Sequence, residues 1–116
     1  MKKRIIQAVM TATAVATFGL IAAGPASAAS SVCEGPYTCT SGTVPANGNH
    51  EVCYSGTHTA LAYWGRAELW DADTNVMVSS VPTSGWGTET RCVGGLYGQH
   101  YYERGTGGYF YGKVWN

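Results

Sequence analysis

The sequence has few charged residues, and basic residues are scarce beyond its first positions. Charged residues make up 12% of the 116-residue chain. After residue 28, four basic residues face seven acidic ones, which gives this part a net charge of −3. Nucleic-acid-binding proteins need a basic surface, and anionic membranes attract one. The composition therefore argues against a nucleic-acid partner and disfavours binding to an anionic membrane.

Known catalytic motifs are also missing. The chain has no Gly-x-Ser-x-Gly, no His-Glu-x-x-His, and no odd cysteine that would remain as a free thiol. Three histidines are present (His50, His58 and His100), and Glu68 with Glu103 could be drawn as an acid/base pair. No spacing requires such a pair. We therefore expect neither an enzyme nor a cofactor.

A candidate calcium loop fails on two of its positions. The run from Asp71 to Asn75 carries oxygen-bearing side chains at positions one, three and five of such a loop. Position six is Val76 rather than Gly, and position twelve is Pro82 rather than Glu. The run instead predicts a hairpin turn in which Asp side chains bond the local backbone.

Residues 1–28 have the pattern of a secretory signal peptide. The segment Met1-Lys-Lys-Arg4 is a basic n-region, residues 5–23 carry no charge, and Ala26-Ser27-Ala28 fits the small-x-small cleavage rule. The alternative is a membrane anchor, which the cleavage site and the Ala/Thr-rich run disfavour. We expect a secreted, extracellular chain that begins at Ala29. No later apolar run is long enough to span a bilayer.

The cysteines of the exported part predict two disulfides. They are Cys33, Cys39, Cys53 and Cys92. Three pairings are possible, and we favour Cys33–Cys39, where Gly35-Pro36 can turn the chain, together with Cys53–Cys92. A zinc site is the competing interpretation, but it lacks the C-x2-C spacing.

Residues 50–116 are expected to form an all-β domain. Glycine is frequent, and Tyr, Trp, Val and Thr favour short strands joined by tight turns. The predicted strands are 50–55, 57–64, 66–70, 75–81, 86–93, 96–104 and 109–115. We expect a small antiparallel β-sandwich of six or seven strands, or a small barrel. Residues 29–49 are predicted to be an irregular arm tied by the first disulfide.

Two hairpins predict which side chains face the core. In the first, Trp70 is placed opposite Asn75. Its inner face then comprises Ala67, Leu69, Val76 and Val78. Its outer face comprises Arg66, Glu68, Trp70 and Met77.

The second hairpin has its turn at Thr106-Gly107 and places Arg104 opposite Tyr109. The face with Tyr97, Gln99, Tyr101, Glu103, Phe110, Gly112 and Val114 is the predicted core. The other face exposes an aromatic and cationic stripe of Tyr102, Tyr109, Tyr111, Trp115, His100, Arg104 and Lys113. Tyr and Trp beside Arg and Lys are typical of protein interfaces, and flat rings also stack on sugars. The alternative is that the stripe packs under the arm or against a second sheet. A three-residue turn would shift this register.

The cysteines, the size and two short runs resemble the tendamistat-type α-amylase inhibitors secreted by actinobacteria. The runs are Asp71-Ala-Asp-Thr74 and Gly95-Leu-Tyr-Gly-Gln-His100. The resemblance implies a two-disulfide β-sandwich that inhibits through a Trp-Arg-Tyr triplet between the first two cysteines. Here the segment between Cys33 and Cys39 has no such triplet. The nearest equivalent is Trp64-Gly-Arg66, outside that interval.

The run from Ala67 to Thr74, with Gly94 to Glu103 and Gly108-Tyr109, also resembles prealbumin-like modules of bacterial surface proteins. Some of these modules form a Lys–Asn isopeptide bond assisted by a Glu, which Glu103 matches. The required lysine is replaced by Glu68. The resemblance thus implies the fold and not the crosslink.

Taken together, these patterns predict a secreted, non-catalytic binding protein. The first candidate partner is an extracellular hydrolase such as α-amylase, which the chain would inhibit. A polysaccharide is the second candidate, and a structural surface role is the third. Trp64 and Arg66 join the stripe as candidate binding residues. We expect a monomer.

Overall fold

The chain folds into β-strands without a helix in the part that the computed structural model describes, residues 28–59, 64–85 and 87–116. Eight strands are present there. They are β1 (Ser30–Gly35), β2 (Cys39–Val44), β3 (Val52–His58), β4 (Trp64–Asp71), β5 (Val76–Ser84), β6 (Thr88–Val93), β7 (Tyr101–Thr106) and β8 (Phe110–Trp115). The predicted all-β class is confirmed. Within these residues no helix is long and apolar enough to cross a membrane.

Two four-stranded antiparallel sheets form a sandwich. The first, sheet A, has the strand order β1-β8-β3-β6, and the second, sheet B, has the order β2-β7-β4-β5. The inner faces of the two sheets enclose one core. Buried and less buried residues therefore alternate along the strands, most regularly in β3. The core comprises Cys33, Val44, Val52, Tyr54, Ala67, Leu69, Val81, Leu96, Tyr101, Phe110 and Val114.

Glycines make room for the ring of Phe110 at the centre of this core. A Cβ added to Gly105 of β7 would lie 2.1 Å from Phe110 Cδ1. A Cβ added to Gly56 of β3 would lie 2.8 Å from the Ala67 side chain and 2.9 Å from the Phe110 ring. Neither position can accept a side chain without repacking, since interiors are close-packed.

A buried histidine ties the two sheets together where β7 passes to β8. His58 Nδ1 donates to the carbonyl oxygen of Gly108 at 2.8 Å, because that oxygen can only accept. His58 Nε2 then accepts from the Thr83 hydroxyl of β5, also at 2.8 Å. The connection between the last two strands is thereby fixed to both sheets.

Both predicted disulfides are confirmed. Cys33–Cys39 links β1 of sheet A to β2 of sheet B, and Cys33 is buried. Cys53–Cys92 joins directly opposed residues of β3 and β6 on the outer face of sheet A. Disulfides are typical of an extracellular or otherwise oxidising environment.

The first half of the fold differs from the sequence-based prediction. Residues 29–49 are not an irregular arm, since they contribute β1 and β2, the edge strands on one side of the sandwich. The strands predicted at 50–55 and 57–64 are largely replaced by β3, and residues 60–63 lie outside the described part. The strand predicted from residue 96 begins at Tyr101. Residues 1–27 and 86 are also outside the described residues.

The hairpin of β4 and β5 has the predicted turn but a different register. Asp71 pairs with Val76 and Trp70 with Met77, and a bulge follows at Leu69. Asp71 Oδ1 accepts the backbone amide of Asp73 at 2.9 Å, as the turn interpretation requires. The predicted inner face of this hairpin is only partly correct. Ala67 and Leu69 are buried as predicted, whereas Val76 is 52% exposed at the end of the ladder.

Candidate functional site

The outer face of sheet B carries rings and guanidinium groups on two neighbouring strands. Every second residue of β4 points outward, and β7 lies beside it. We call this surface the aromatic face. It comprises Trp64, Arg66, Glu68 and Trp70 of β4 with Tyr102 and Arg104 of β7.

The register of β4 and β7 brings the side chains of the aromatic face into contact. Trp70 lies opposite Tyr102, and their rings stack with centroids 6.4 Å apart and planes 10° apart. The indole Nε1 of Trp70 donates to Glu68 Oε1 at 3.0 Å. Arg66 donates through Nη2 to the hydroxyl of Ser80 on β5. Cross-strand pairs of this kind hold rings in fixed positions.

Three members of the aromatic face are exposed to solvent, namely Trp64, Arg66 and Arg104. Trp64 is 71% exposed at the start of β4. Arg104 lies opposite Glu68 and is exposed, and its guanidinium has no hydrogen bond or ion pair with residues 28–59, 64–85 and 87–116. Exposed Trp and Arg side chains are enriched in protein-binding hot spots.

The predicted aromatic stripe is not one surface. Strands β7 and β8 do not form a hairpin, because β7 pairs with β2 and β4 in sheet B while β8 pairs with β1 and β3 in sheet A. The prediction that Arg104 lies opposite Tyr109 is therefore wrong. Gly107 and Tyr109 both adopt positive φ where the chain crosses between the sheets, at 93° and 55°. Tyr102 and Arg104 consequently lie on the outer face of the sandwich opposite to that of Tyr111.

The predicted division into inner and outer residues is correct within β7 and β8. The inward set is buried, and it comprises Tyr101, Glu103, Phe110, Gly112 and Val114. Residues before β7 depart from it, since Tyr97 is 75% exposed against the ring of His50, and Gln99 is also exposed. His100 is exposed and contacts Asp73 at 3.0 Å. The alternation of residues thus predicted which side chains of β7 and β8 are buried, but it did not predict which strands pair with β7 and β8.

The outer face of sheet A holds the other predicted binding residues of β8. Tyr111 is 39% exposed, Lys113 is exposed, and Trp115 is half-buried. Lys113 Nζ lies 5.9 Å from the centroid of the Trp115 ring. A recess of about 460 Å³ opens here, and hydroxyl side chains of β3 and β6 complete its wall. The group suits a single polar ring-shaped ligand better than a broad protein surface.

Tyr109 belongs to neither outer face. It is 45% exposed in the connection between β7 and β8. Its backbone carbonyl accepts from the amide of Thr59 at 2.6 Å, and its amide donates to Pro36 at 3.3 Å. Tyr109 and Tyr37 line a shallow recess at the end of the sandwich.

Glu103 is a buried carboxylic acid on the inner side of β7. Its side chain is inaccessible, and neither carboxyl oxygen has a hydrogen-bond partner among the described residues. Burial raises the pKa of Glu103 to about 9, so the side chain is protonated at neutral pH. Lys113, the only lysine after residue 3, is exposed on the outer face of sheet A. The geometry accordingly offers no lysine for a Lys–Asn crosslink at Glu103.

A cluster with metal-ligand atoms exists but is not a metal site. Glu51, Cys53 and Cys92 bring one carboxylate oxygen and two sulfurs within 4.8 Å of one another. Both sulfurs form a disulfide, so neither is a thiolate that could bind a metal ion.

No protein-family model, curated protein or solved structure matches this chain. Sequence reasoning named Trp64, Arg66, Tyr102 and Arg104 but omitted Trp70 from the binding set. The alternation of residues 66–70 already placed Trp70 outward. The alternation could not predict which strand lies beside β4, because only the sheet topology places β7 there.

Proposed function

We propose that this chain is a secreted, non-catalytic binding protein that docks on an extracellular hydrolase and inhibits it through the aromatic face. The observation that carries the proposal is the stacked pair of Trp70 and Tyr102, which lies next to the cross-strand pair of Glu68 and Arg104 on the same outer face. Aromatic and arginine side chains dominate the binding energy of protein interfaces.

Rigidity of the aromatic face supports inhibition rather than transient contact. Trp70 is held by its stack on Tyr102 and by a hydrogen bond to Glu68. Side chains that are already ordered lose little conformational entropy when a partner binds. Such a face can occlude an active-site cleft without chemistry of its own.

Export supports an extracellular partner. The two disulfides are typical of an oxidising compartment, and residues 1–28 have the pattern of a secretory signal peptide. α-Amylase is the first hydrolase to test because two short runs resemble secreted inhibitors of that enzyme. The proposal does not depend on the segment between Cys33 and Cys39, which departs from the inhibitors' pattern.

The test is a titration of α-amylase, and of a panel of other extracellular glycosidases and proteases, with the oxidised protein. The expected result is a stoichiometric loss of one enzyme's activity. The variant Trp70→Ala should weaken inhibition, whereas Tyr111→Ala, on the opposite face, should not. Equal inhibition by both variants, or no inhibition across the panel, would reject the proposal.

A polysaccharide is the second candidate partner, and the recess beside Trp115 favours it. An indole ring, the ammonium of Lys113 and the hydroxyls of Ser55 and Thr90 line that recess. Aromatic rings and hydroxyls are the groups that a sugar requires. Co-sedimentation with insoluble polysaccharides tests this candidate, and it requires that Trp115→Ala abolish binding while Trp70→Ala leaves it intact.

A further inference from the structure

Strand β6 forms one edge of sheet A and is exposed on both of its faces. It pairs with β3 alone among the described strands. Every residue from Thr88 to Cys92 is exposed, and Val93 is half-buried. Glu89 and Arg91 point to the inner side of the sheet yet still contact solvent. The strand therefore extends past the core that the two sheets share.

The hydrogen-bonding pattern of β3 shows which backbone groups of β6 have no partner. The amide of Thr59 donates to the carbonyl oxygen of Tyr109 at 2.6 Å, so alternate residues back along β3 bond β8. The residues between them bond β6 instead. These pairs are Val52 with Val93, Tyr54 with Arg91, and Gly56 with Glu89.

The remaining residues of β6 direct their N–H and C=O groups away from β3. They are Thr88, Thr90 and Cys92. A second observation agrees, since the Cα atoms of the opposed Cys53 and Cys92 are 4.0 Å apart. This short spacing belongs to a pair without hydrogen bonds between its members. A ladder of unpaired donors and acceptors thus faces outward along the β6 edge.

The other edges of the sandwich are obstructed. The edges of β1 and β2 face each other, since Gly42 of β2 donates its amide to the hydroxyl of Ser31 of β1 and the Cys33–Cys39 disulfide links the two strands. Strand β2 also carries a bulge between Thr40 and Thr43. In β5, Pro82 lacks an amide hydrogen, and the carbonyl of Ser80 accepts from Arg91 at 3.1 Å. Proline and bulges are common protections of edge strands. Within the described residues, β6 is the edge left open to another strand.

We infer, contrary to the monomer expected from the sequence, that two copies of this chain pair edge to edge through β6, antiparallel and centred on Thr90. This register places Thr90 opposite itself and Thr88 opposite Cys92, so the unpaired backbone groups meet as bonded pairs. About six interstrand hydrogen bonds form in this way. The two A sheets become one continuous sheet about a two-fold axis.

Charge complementarity identifies a second copy as the occupant of this edge. In the same register, Glu89 lies opposite Arg91 of the partner subunit, and by symmetry the contact occurs twice. These positions form the closely spaced pairs without backbone bonds, where side chains interact most strongly. Charges on an edge strand normally repel other strands. Here only an antiparallel strand with the reversed order of charges matches them, and β6 itself is such a strand.

The experiment is sedimentation equilibrium of the oxidised protein over a range of concentrations. Wild type is expected to show a concentration-dependent dimer. Glu89→Arg and Arg91→Glu, each measured alone, place like charges opposite each other twice and should weaken dimerisation by at least about 10-fold. The equimolar mixture of these two variants restores both opposite-charge contacts and should dimerise as wild type does.

The mixture separates specific pairing from damage to the fold. Its failure to dimerise, or a wild type that stays monomeric at every concentration, overturns the inference. Thr90→Pro provides an independent arm, because it removes an amide that faces the free edge and leaves the bonds to β3 intact. This variant should be monomeric, with the melting temperature that wild type has when diluted to its monomer, while Thr90→Val should dimerise. A dimeric Thr90→Pro would place the interface elsewhere and also overturn the inference.

Discussion

The two sheets share one core but differ on their outer faces. Sheet B presents rings and guanidinium groups on its two central strands, and Trp70 stacks on Tyr102. Sheet A presents Tyr111, Lys113 and Trp115 on the single strand β8, beside short hydroxyl side chains and the Cys53–Cys92 disulfide. The difference shows that one alternating pattern can build two outer surfaces suited to different work. We propose that the outer face of sheet B binds a protein, and that the edge strand β6 of sheet A, which the Cys53–Cys92 disulfide links to β3, pairs with a second copy.

The largest expected effect on stability comes from removing the Cys53–Cys92 disulfide of sheet A. Replacing Cys53 and Cys92 by Ala opens a connection of 39 residues, which lowers the free energy of unfolding by about 4 kcal/mol. Replacing Cys33 and Cys39 opens one of 6 residues and should cost about 2 kcal/mol by the same chain-entropy argument. Urea unfolding of both double variants checks the ranking. A larger loss from the Cys33–Cys39 variant would show that burial of Cys33 outweighs loop length.

The next effect concerns the interior of sheet B. Folding raises the pKa of Glu103 from 4.5 to about 9, so its contribution to stability is complete below pH 4.5 and is lost as the pH rises towards 9. At pH 7 the penalty is on the order of 3 kcal/mol, at 1.36 kcal/mol per pKa unit. Glu103→Gln should therefore be more stable than wild type at pH 7 and similar to it at pH 4. An equal stability difference at both pH values would contradict a raised pKa.

The smallest expected effect is a change in binding free energy, and it distinguishes the outer face of sheet B from that of sheet A. Trp70→Ala should weaken binding of the inhibited hydrolase by about 2 kcal/mol, or about 30-fold. Trp115→Ala should change it by less than about 3-fold, since Trp115 lies on the other side of the sandwich. Calorimetric titration of both variants measures the contrast, and matched losses would remove the distinction between the faces.

Local patterns predicted part of the interior of each sheet. Alternation placed Ala67, Leu69, Phe110 and Val114 inside, and the cysteine spacing predicted both disulfides. Each of these features depends on a residue's own side chain and its near neighbours. These core residues and both crosslinks could therefore be predicted from the sequence, whereas the core residues of β1, β2 and β3 were not predicted.

The binding surface was less accessible because it depends on which strands become neighbours. A glycine-rich connection such as Gly107-Gly108 permits a tight hairpin as well as a crossing to the opposite sheet. The choice is made by long-range contacts, including the hydrogen bond from His58 to Gly108. A two-residue period also cannot foresee a bulge, such as the one beside Leu69 that displaces the β5 register.

The most direct test of the central claim is hydroxyl-radical footprinting of the protein, alone and in complex with the hydrolase that it inhibits. We predict that complex formation protects Trp64, Trp70 and Tyr102 from oxidation and leaves Tyr111 and Trp115 as reactive as before. Protection of Tyr111 and Trp115, with the rings of sheet B unchanged, would contradict the account.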